Sequence, residues 1–363
     1  MITVALDTMG DFGPAPVAEG AWRAVASDPS LKVELVGPPE LLEQTVAELA
    51  SRPELASLDP EGTVRSRIAV VPATQVIGMG EHPVEAVRGK PDSSLMVAVG
   101  RVESGKADAL VSPGNTGAVM AGATFRWGRF PGIERPALGV ALPNRRGSQT
   151  LLVDAGANVD CRPLHLLQFA VMGYAYAVAV LGVPEPRVGL LNVGAEPGKG
   201  NEVSRKAWAL LSHAGIPSRG NVEGMDIWSG EVEVVVCDGF VGNVVLKSAE
   251  GLAETLSSLL QDLSRRPWPG TPGGRGDLEP GAMSALGQLV RDAFRPFDWA
   301  EHGAAPLLGL NGIGFIAHGR SNARAIKQAL HQAVRAVRGR VLEHLAAVLP
   351  RAISANHEGV QNQ

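Results

Sequence analysis

The sequence predicts an α/β fold built on a mainly parallel sheet with helices on both faces. Apolar runs with the length of strands alternate with helical patterns of ten or more residues, which is typical of βαβ units. Six of the apolar runs also end in loops rich in Gly, Asn, Asp, Ser or Thr, immediately before a predicted helix. The predicted strands cover residues 2–6, 32–36, 68–72, 107–112, 149–153, 187–192, 233–237 and 313–317.

Helical periodicity separates most of the predicted strands, so the connections are long enough to act as crossovers between parallel neighbours. One pair differs, because the turn-prone PNRRGS joins residues 136–142 to 149–153 and allows these two segments to pair antiparallel instead. The predicted helices cover residues 16–27, 39–50, 93–104, 117–127, 163–182, 202–214, 243–264 and 321–346.

Composition limits both the size of the fold and the class of partner. The chain has 363 residues, of which 45% are hydrophobic, enough for one large α/β domain or two smaller ones. Its formal net charge of −4 argues against nucleic acid, whose binding proteins usually carry a basic patch. Cys161 and Cys237 are too few for a disulfide framework, and a strand-like run begins at Ile2 without room for a signal peptide. We therefore expect a cytoplasmic protein.

Residues 166–183 carry no charge and imitate a membrane span. Their length is marginal for spanning, and Gln168, Tyr174 and Tyr176 weaken that interpretation. A helix that is apolar all round is also typical of a buried central helix or a subunit contact. Because α/β units continue on both sides, we expect a helix buried within the protein or its assembly.

The one compositional break lies at residues 265–281, which are dense in Pro and Gly and indicate an exposed connection. Amphipathic stretches flank it, and two interpretations are open. They form either core-packing helices with a loose tip or a protruding hairpin, at about 252–294, whose apolar face and Trp268 dip into a membrane surface. We expect residues 1–350 to form a single α/β catalytic unit carrying this hairpin, and the polar residues 351–363 to form a disordered tail.

The six loops at the predicted strand ends carry the main functional signal. Loops at the carboxyl ends of parallel strands collect anions, because backbone N–H groups at helix starts point into them. We expect six such loops to build one large anion-binding cleft, which predicts an enzyme acting on a phosphate or acidic group. The loops are residues 7–14, 112–117, 154–161, 192–202, 238–243 and 318–322.

The loop at residues 192–202 is the strongest of the six candidates for binding an anion, because it places Lys199 between Gly198 and Gly200. The glycines allow the backbone to approach a ligand while the ammonium covers it. This is not a Walker A loop, because only three residues separate Gly194 from Gly198 and no Ser or Thr follows Lys199 to hold magnesium. A solvated lysine in a glycine-rich turn is the structural alternative.

The remaining loops supply further candidates. Ser112, Asn115 and Thr116 stand at a strand-to-helix junction, where Asn115 or Thr116 serves as a helix cap in any case. Asn243 stands at a helix start and is expected to donate to a substrate oxygen, and His318 directly follows an apolar run at the predicted cleft rim. The other predicted binding residues are Asp7, Gly10, Asp11, Asn158, Gly198, Gly200, Asn201, Asp238, Ser321 and Asn322.

Several alternative chemistries lack their motifs. HExxH, CxxC and GxSxG are absent from the sequence. Gly312, Gly314 and Ala317 fit G-x-G-x-x-A, but they precede or lie within a predicted strand instead of following one. Acidic residues do not cluster at metal-ligand spacing in the six loops. We therefore expect no metal and no cofactor.

The loops, in this order, resemble those of the bacterial phosphate acyltransferase family (acyl-ACP:phosphate transacylase). The resemblance runs from Ile2 to about Val341. The matching segments are EHPVEAVR at 81–88, SPGNTGAVMAG at 112–122, GIERPAL at 132–138, GANVDC at 156–161, GKGNE at 198–202, VCDGFVGNVVLK at 236–247 and APLLGLNG at 305–312.

The resemblance implies a fold of the isocitrate/isopropylmalate dehydrogenase type and a homodimer. It implies the reaction of acyl-[acyl-carrier protein] with inorganic phosphate, giving acyl phosphate and free carrier protein for phosphatidic acid synthesis. It also implies peripheral contact with the inner face of the membrane or with a membrane acyltransferase. A short-chain acyl-CoA phosphate transferase of related fold is the alternative, followed by a metal-dependent dehydrogenase and a non-catalytic lipid-associated scaffold.

For this reaction we expect phosphate itself to attack the thioester, without a covalent acyl-enzyme on Cys161 or Cys237. Lys199 is expected to hold the phosphate, Asn243 or Asn115 to stabilise the oxyanion, and His318 to protonate the departing thiolate.

Two positions depart from the family pattern. Gly10 precedes Asp11 directly, where a Gly-Gly-Asp run is usual, and Arg320 replaces a small residue.

Overall fold

The structure is a computed structural model that describes residues 1–265 and 303–361. Within these ranges, eleven strands form one mixed sheet. They are β1 (Ile2–Asp7), β2 (Leu31–Gly37), β3 (Ile68–Pro72), β4 (Ala109–Ser112), β5 (Ala137–Pro143), β6 (Gln149–Val153), β7 (Val188–Leu191), β8 (Ser218–Val222), β9 (Val234–Val236), β10 (Ala304–Leu308) and β11 (Gly314–Ala317).

Most α-helices of the same ranges begin at a proline or directly after an asparagine cap. Proline is favoured in the first helical turn because its missing N–H has no partner there, and an asparagine cap accepts a hydrogen bond from a free N–H. The helices are α1 (Pro14–Ser27), α2 (Pro39–Ser51), α3 (Pro53–Ala56), α4 (Pro83–Gly89), α5 (Ser94–Glu103), α6 (Thr116–Trp127), α7 (Pro163–Tyr176), α8 (Glu202–Ser212), α9 (Gly239–Arg265), α10 (Ala323–Arg338) and α11 (Val341–Gln361).

The sheet has the strand order β3-β2-β1-β4-β11-β10-β5-β6-β9-β7-β8. Neighbours are parallel from β3 to β11 and again from β6 to β8. Between these blocks, β10 is antiparallel to β11 and β5, and β5 is antiparallel to β6. The mainly parallel sheet and the antiparallel β5–β6 pair are confirmed. The two parallel blocks, however, run in opposite directions.

Helices cover both faces of the sheet, as predicted. Along β1, Val4 and Leu6 belong to a buried cluster with α1, α7 and α10, whereas Ala5 belongs to a cluster with α5 and α6. Successive strand side chains point to opposite faces, so this alternation places one helical layer on each side.

Helix α7 is the apolar segment that imitates a membrane span. Together with the π-helical turn Ala177–Leu181 it forms a stretch with a mean hydropathy of 1.7, of which 72% is buried inside the protein. Phe169 and Tyr176 are at most 1% exposed. This burial favours the core helix over the membrane span.

Two strands, two short helices and one helix break differ from the sequence prediction, since α3 and α4 were not predicted either. β8 is short and polar, and β10 contains Pro306, which obscures its strand pattern. The predicted helix 321–346 is two helices, because Arg340 adopts a φ of 53° after α10. Gly339 at this break is required for close packing, since a Cβ there would lie 2.0 Å from the carbonyl oxygen of Ala179.

The structure describes only the start of the predicted hairpin but most of the predicted tail. α9 extends to Arg265, and the rest of the predicted hairpin, residues 266–294 with Trp268, lies outside the described residues. α11 continues to Gln361, where the sequence predicts a disordered tail. Leu345, Leu349 and Ala352 are buried at helical spacing, so one apolar stripe docks the first part of this helix.

Candidate active site

The six glycine-rich loops follow strands of both parallel blocks and therefore leave the sheet at two opposite edges. Carboxyl ends of parallel strands meet at one edge, so each block gathers three of the loops. The first loop group is residues 7–14, 112–117 and 318–322, after β1, β4 and β11, and the second loop group is residues 154–161, 192–202 and 238–243, after β6, β7 and β9.

The prediction of one cleft lined by all six loops is therefore wrong for a single chain. It assumed one strand direction throughout, whereas the antiparallel pairs around β10 and β5 reverse the direction. Lys199 and Asn243 lie in the second loop group, and His318 lies in the first. Three residues predicted to act together thus follow strands that end at opposite edges.

Asp7 ends β1 and is buried at the centre of the first loop group. Its Oδ2 accepts a hydrogen bond of 2.7 Å from Ser112 Oγ, and its Oδ1 accepts one of 3.2 Å from the Met9 N–H. Ser112 Oγ accepts in turn from the Gly114 N–H at 3.1 Å. Burial raises the pKa of Asp7, although hydrogen bonds from Ser112, Ser94 and Met9 oppose the shift. The structure brings Asp7 and Ser112 together and adds Ser94, which the sequence analysis missed.

Asn115 ties the first loop group to a neighbouring turn. Its Nδ2 donates to the carbonyl oxygens of Met79 at 2.9 Å and Glu81 at 3.2 Å. Its Oδ1 accepts from the Ala118 N–H and caps α6, which begins at Thr116. Both amide hydrogens are engaged within the protein, so Asn115 acts here as a cap and tie instead of a donor to substrate.

The loop after β11 packs on the first loop of the chain. The Asp11 N–H donates to the Gly319 carbonyl oxygen at 2.9 Å, and a Cβ on Gly10 would lie 3.0 Å from that same oxygen. His318 Nδ1 accepts a hydrogen bond of 3.1 Å from the Arg320 N–H. The shortened first loop thus still reaches its neighbour, with Asp11 exposed.

Ser321 and Asn322 end the same loop. Ser321 is 2% exposed, and its hydroxyl has no hydrogen-bond partner among the described residues. Asn322 Oδ1 accepts from the Ala325 N–H at 3.0 Å and caps α10. Since β4 and β11 are neighbours, the starts of α6 and α10 lie at the same edge of the sheet.

Asp154 organises the second loop group, although the sequence analysis did not select it. The side chain is fully buried, and its two oxygens accept five hydrogen bonds of 2.7–3.2 Å. The signal was an aspartate directly after a strand, a position from which the side chain commonly bonds the N–H groups that follow. The donors are the backbone N–H groups of Leu138, Gly156, Ala157 and Asn158, and the side-chain amide of Asn158.

Asn158 joins this loop to its neighbours. Its Nδ2 donates to the Pro136 carbonyl oxygen at 2.8 Å as well as to Asp154 at 2.9 Å. Its carbonyl oxygen accepts from the Gly239 N–H at 2.7 Å, which fixes the loop after β9 beside it. The predicted binding residue Asn158 is therefore a structural tie in this conformation.

Asn243 does not stand at a helix start as predicted, because α9 begins at Gly239 and Asn243 is its fifth residue. It faces the loop that Asp154 organises. A Cβ on Gly156 would lie 3.7 Å from both the Cβ and the Oδ1 of Asn243. Asp238, at the end of β9, accepts a hydrogen bond of 2.8 Å from the Val241 N–H. The predicted residues Asp238 and Asn243 therefore lie together in the second loop group.

The two cysteines lie near this group, and both thiols are held neutral. Burial raises the pKa of Cys161 to about 11, and the negative charges of Asp154 and Asp238 add to the shift. Burial also raises the pKa of Cys237 well above its usual value. A thiol must lose its proton to act as a nucleophile, so neither cysteine is activated.

Lys199 has an exposed side chain, and its backbone is fixed by hydrogen bonds to other residues of the same loop. Its N–H donates to the Glu196 carbonyl oxygen at 3.1 Å, and its carbonyl oxygen accepts from Asn192 Nδ2 at 3.1 Å. Gly200 has a φ of +91°, and a Cβ there would lie 2.1 Å from Ser204 Oγ. Only glycine fits at this position.

Two further asparagines hold this loop, Asn201 within it and Asn221 outside it. Asn201 Oδ1 accepts from the Ser204 N–H at 2.8 Å and caps α8. Asn221, on β8, donates to the Glu196 carbonyl oxygen at 2.7 Å. Gly198 has open space around its Cβ position, so packing does not require glycine there. The sequence analysis missed Asn221 because β8 was not predicted.

The second loop group is suited to binding an anion. The starts of α8 and α9 follow adjacent parallel strands, and N–H groups at helix starts attract negative charge. The Lys199 ammonium adds a full positive charge at this edge. Within residues 1–265 and 303–361, no three His, Cys, Asp or Glu side chains are grouped to hold a metal ion.

Comparison with solved structures places the fold. A phosphotransacetylase from Streptococcus pyogenes matches with a TM-score of 0.59 and 16% identity over 94% of each chain. A putative 4-hydroxythreonine-4-phosphate dehydrogenase from Salmonella typhimurium matches with a TM-score of 0.51 and 12% identity over 92% of this chain and 99% of that one. The predicted relation to a dehydrogenase-type α/β fold is confirmed.

Sequence comparison gives the family. The family model described as "Fatty acid synthesis protein" matches residues 2–344. A phosphate acyltransferase of Pelotomaculum thermopropionicum is 46% identical over 348 residues, which cover 94% of this chain and 93% of that protein. The chain therefore belongs to the fatty acid synthesis protein family, among relatives named phosphate acyltransferase, and it is an acyltransferase.

Proposed function

We propose that this enzyme transfers a fatty acyl group from acyl-[acyl-carrier protein] to inorganic phosphate, giving acyl phosphate for phospholipid synthesis. The family and the names of its relatives support acyl transfer to phosphate. The structural observation that carries the proposal is the second loop group. There the exposed Lys199 ammonium shares one edge of the sheet with two helix starts and with Asn243. This arrangement suits a small dianion.

The chemistry is a single displacement. A phosphate oxygen attacks the thioester carbonyl carbon, the new C–O bond forms, and the C–S bond breaks with its electron pair passing to the carrier's sulfur. Phosphate is already anionic near neutral pH, so the step needs no strong base. The protein supplies orientation, worth up to roughly 7–11 kcal/mol, and an oxyanion donor, worth roughly 3–4 kcal/mol.

Lys199 holds the phosphate and Asn243 donates to the oxyanion in this proposal. Asn115, the other predicted oxyanion donor, has both amide hydrogens engaged in the first loop group. Cys161 and Cys237 are kept as neutral thiols by their raised pKa values, which supports direct attack by phosphate over an acyl-enzyme.

We also propose a homodimer. α9 begins at Gly239, beside the second loop group, and carries an exposed apolar face that a second copy would cover. The residues proposed for this contact lie near the start of the helix, where Phe240 is 61% and Val244 49% exposed. His318 lies in the first loop group, so in this proposal it protonates the departing sulfur only where a second subunit brings that group to the reacting thioester.

Mixing inactive variants tests this arrangement. Lys199→Ala and His318→Ala proteins are combined under conditions that exchange subunits, with each variant exchanged against itself as the control. If the two residues serve one site from different subunits, hybrid dimers recover activity, because one of their two sites is intact. Absence of recovery, with a measured molar mass of a dimer, contradicts a shared site and the role of His318.

Peripheral membrane contact is proposed for a later part of α9, around Leu252 and Leu256, beyond the turns proposed for the dimer. The protein is expected to be cytoplasmic and to meet the inner membrane surface, or an acyltransferase within it, through exposed leucines such as Leu252 and Leu256. Leu252→Glu should abolish flotation with anionic phospholipid vesicles while the molar mass in solution stays that of the wild type. Loss of the dimer without a change in flotation would assign this face to the subunit interface alone.

The decisive assay measures free carrier protein released from palmitoyl-carrier protein, with and without phosphate. Lys199→Ala should reduce the phosphate-dependent rate by about a hundredfold, whereas Arg320→Ala in the first loop group should leave it within about threefold. The reverse result would place phosphate in the first loop group. Faster turnover of acetyl-CoA than of the palmitoyl donor would favour the short-chain acyl-CoA phosphate transferase.

A further inference from the structure

We infer that Asn221 is a positioning residue that shapes the Lys199 loop for phosphate. The inference rests on the proposed role of Lys199 in phosphate binding. Asn221 lies on β8, outside the six glycine-rich loops, and is 4% exposed. No contact of Asn221 with substrate is required, because it acts on the loop that carries the ammonium.

The first part of the argument is the bond that Asn221 makes. Its Nδ2 donates to the Glu196 carbonyl oxygen at 2.7 Å. The same oxygen accepts the backbone N–H of Lys199 at 3.1 Å. One carbonyl group therefore joins the buried end of the edge strand β8 to the turn that bears Lys199. Movement of that carbonyl would move the backbone from which the ammonium extends.

A second tie lies on the other side of Lys199. Asn192 Nδ2 donates to the Lys199 carbonyl oxygen at 3.1 Å, and the Asn192 N–H donates to the Val222 carbonyl oxygen at 2.8 Å. Val222 directly follows Asn221 on β8. The two backbone groups of Lys199 are thus both linked, through Glu196 and Asn192, to adjacent positions of one strand.

The other polar atom of the Asn221 amide makes no hydrogen bond that would explain the amide by stability alone. Asn221 Oδ1 is buried and has no hydrogen-bond partner among the described residues. An unpaired buried acceptor destabilises the folded state, and this cost offsets part of the stability that the bond to Glu196 provides. Turning the amide over would set Oδ1 against the Glu196 carbonyl oxygen, so the donor role of Nδ2 is fixed. A buried amide whose Nδ2 anchors the Lys199 loop while its Oδ1 stays unpaired indicates a functional constraint.

Steady-state kinetics of Asn221→Ala test the inference, with phosphate and palmitoyl-carrier protein varied separately. A displaced Lys199 ammonium binds phosphate more weakly, so the KM for phosphate should rise about tenfold or more. The KM for the acyl donor should stay within about twofold. A merely structural residue would lower the amount of active enzyme and leave both KM values unchanged. Should Asn221→Ala fold poorly, Asn221→Val fills more of the position, lacks the donor without burying a charge, and should give the same separation.

Asn144 offers a matched control. It anchors the β5–β6 turn in a comparable way, accepting from the Arg146 and Ser148 N–H groups and donating to Thr150 Oγ1 at 3.2 Å. Asn144→Ala should lower thermal stability without raising the KM for phosphate. An equal rise in that KM for both variants would show that the rise does not depend on the Lys199 loop, and would overturn the inference.

A double-mutant cycle separates this inference from the proposed function. On a Lys199→Ala background, Asn221→Ala should add less than about a twofold further rise in the KM for phosphate, because coupled residues are not additive. If Lys199→Ala alone leaves that KM unchanged, the proposed phosphate site fails and the inference fails with it. If Lys199→Ala raises it and Asn221→Ala does not, only the role of Asn221 is overturned.

Discussion

Ser112 and Asp7 form a buried hydrogen-bonded pair, with the serine oxygen 2.7 Å from Asp7 Oδ2, at the ends of adjacent parallel strands. Ser94 and the Met9 N–H also bond to this carboxyl group. Burial nevertheless outweighs the three bonds and raises the pKa of Asp7 above its usual value of 3.8. The first loop group therefore contains a carboxyl group that folding makes harder to ionise.

The raised pKa of Asp7 predicts a specific dependence of stability on pH. Between the unfolded and the raised folded pKa, the folded state binds more protons than the unfolded state. The contribution of Asp7 to the free energy of unfolding is therefore greatest below pH 3.8 and falls as the pH rises through that window. In Asp7→Asn this loss should be absent, so urea unfolding from about pH 4 to 7 should favour the variant increasingly over wild type. A difference between the two proteins that stays constant with pH would contradict the prediction.

Substitutions of Asn115 should separate the stability that its Oδ1 contributes by capping α6 from the stability that its Nδ2 contributes by bonding Met79 and Glu81. Asn115→Ala removes the α6 cap and the bonds to Met79 and Glu81, and should lower the free energy of unfolding by about 1–2 kcal/mol. Asn115→Asp keeps an acceptor for the cap, so its loss should be smaller. Urea unfolding measures both, with Asn201→Ala in α8 as a cap control. A large loss of activity per folded molecule in Asn115→Asp would instead show that the amide contacts substrate.

Strand ends and loops were predictable from the sequence because their signals are local. Glycine and asparagine at turns, and proline or asparagine at helix starts, fix the boundaries of α1, α6 and α8 to within a few residues. The direction of each strand was not predictable in the same way. It depends on β10, whose Pro306 hides it, and on the antiparallel pairing of β10 with β5. Because β10 was not predicted, the sequence analysis missed the reversal of strand direction. It therefore expected one cleft where the structure has two loop groups.

The residues that position the loops of the candidate site were harder to predict from the sequence than those proposed to act on substrate. Lys199 and Asn243 stand in recognisable loops, and the sequence analysis selected both. Asn221 lies in an unpredicted strand, and its bond to Glu196 spans 25 positions of the chain. Asn115 and Asn158 were selected for substrate, yet their amides are engaged by the protein. Such assignments depend on tertiary contacts that residue type alone does not specify.

The thiol of Cys161 should react slowly with alkylating reagents. Its pKa of about 11, raised by burial and by Asp154 and Asp238, lies 2 units above the ordinary value of 9.0. At pH 8 the thiolate fraction is therefore about a hundredfold lower than for an ordinary thiol, and alkylation by iodoacetamide should slow in proportion. Mass spectrometry across pH 8–11 follows the modification, with Cys161→Ala reporting Cys237 alone. Rapid alkylation at pH 8, or loss of turnover in Cys161→Ala, would revive a covalent mechanism.

Asp154→Asn should be unusually destabilising for so small a change. Each oxygen of Asp154 faces at least two N–H donors, so the amide nitrogen of asparagine must be placed against donors whichever way it turns. Two buried donors then lose their acceptor, and the free energy of unfolding should fall by about 3 kcal/mol. The loop of Gly156, which faces Asn243, should also shift and reduce turnover.

Asp59→Asn is the matched control for this substitution. Asp59 likewise accepts backbone N–H groups on both oxygens, from Val64 at 2.7 Å and Arg65 at 2.9 Å, but it is partly exposed. Water can replace the lost bonds there, so the expected loss is below about 1 kcal/mol. Urea unfolding of both variants gives the comparison. Equal losses would mean that burial of the Asp154 network contributes nothing beyond the turn bonds themselves, and the second loop group would then lack the rigid support on which the placement of Asn243 depends.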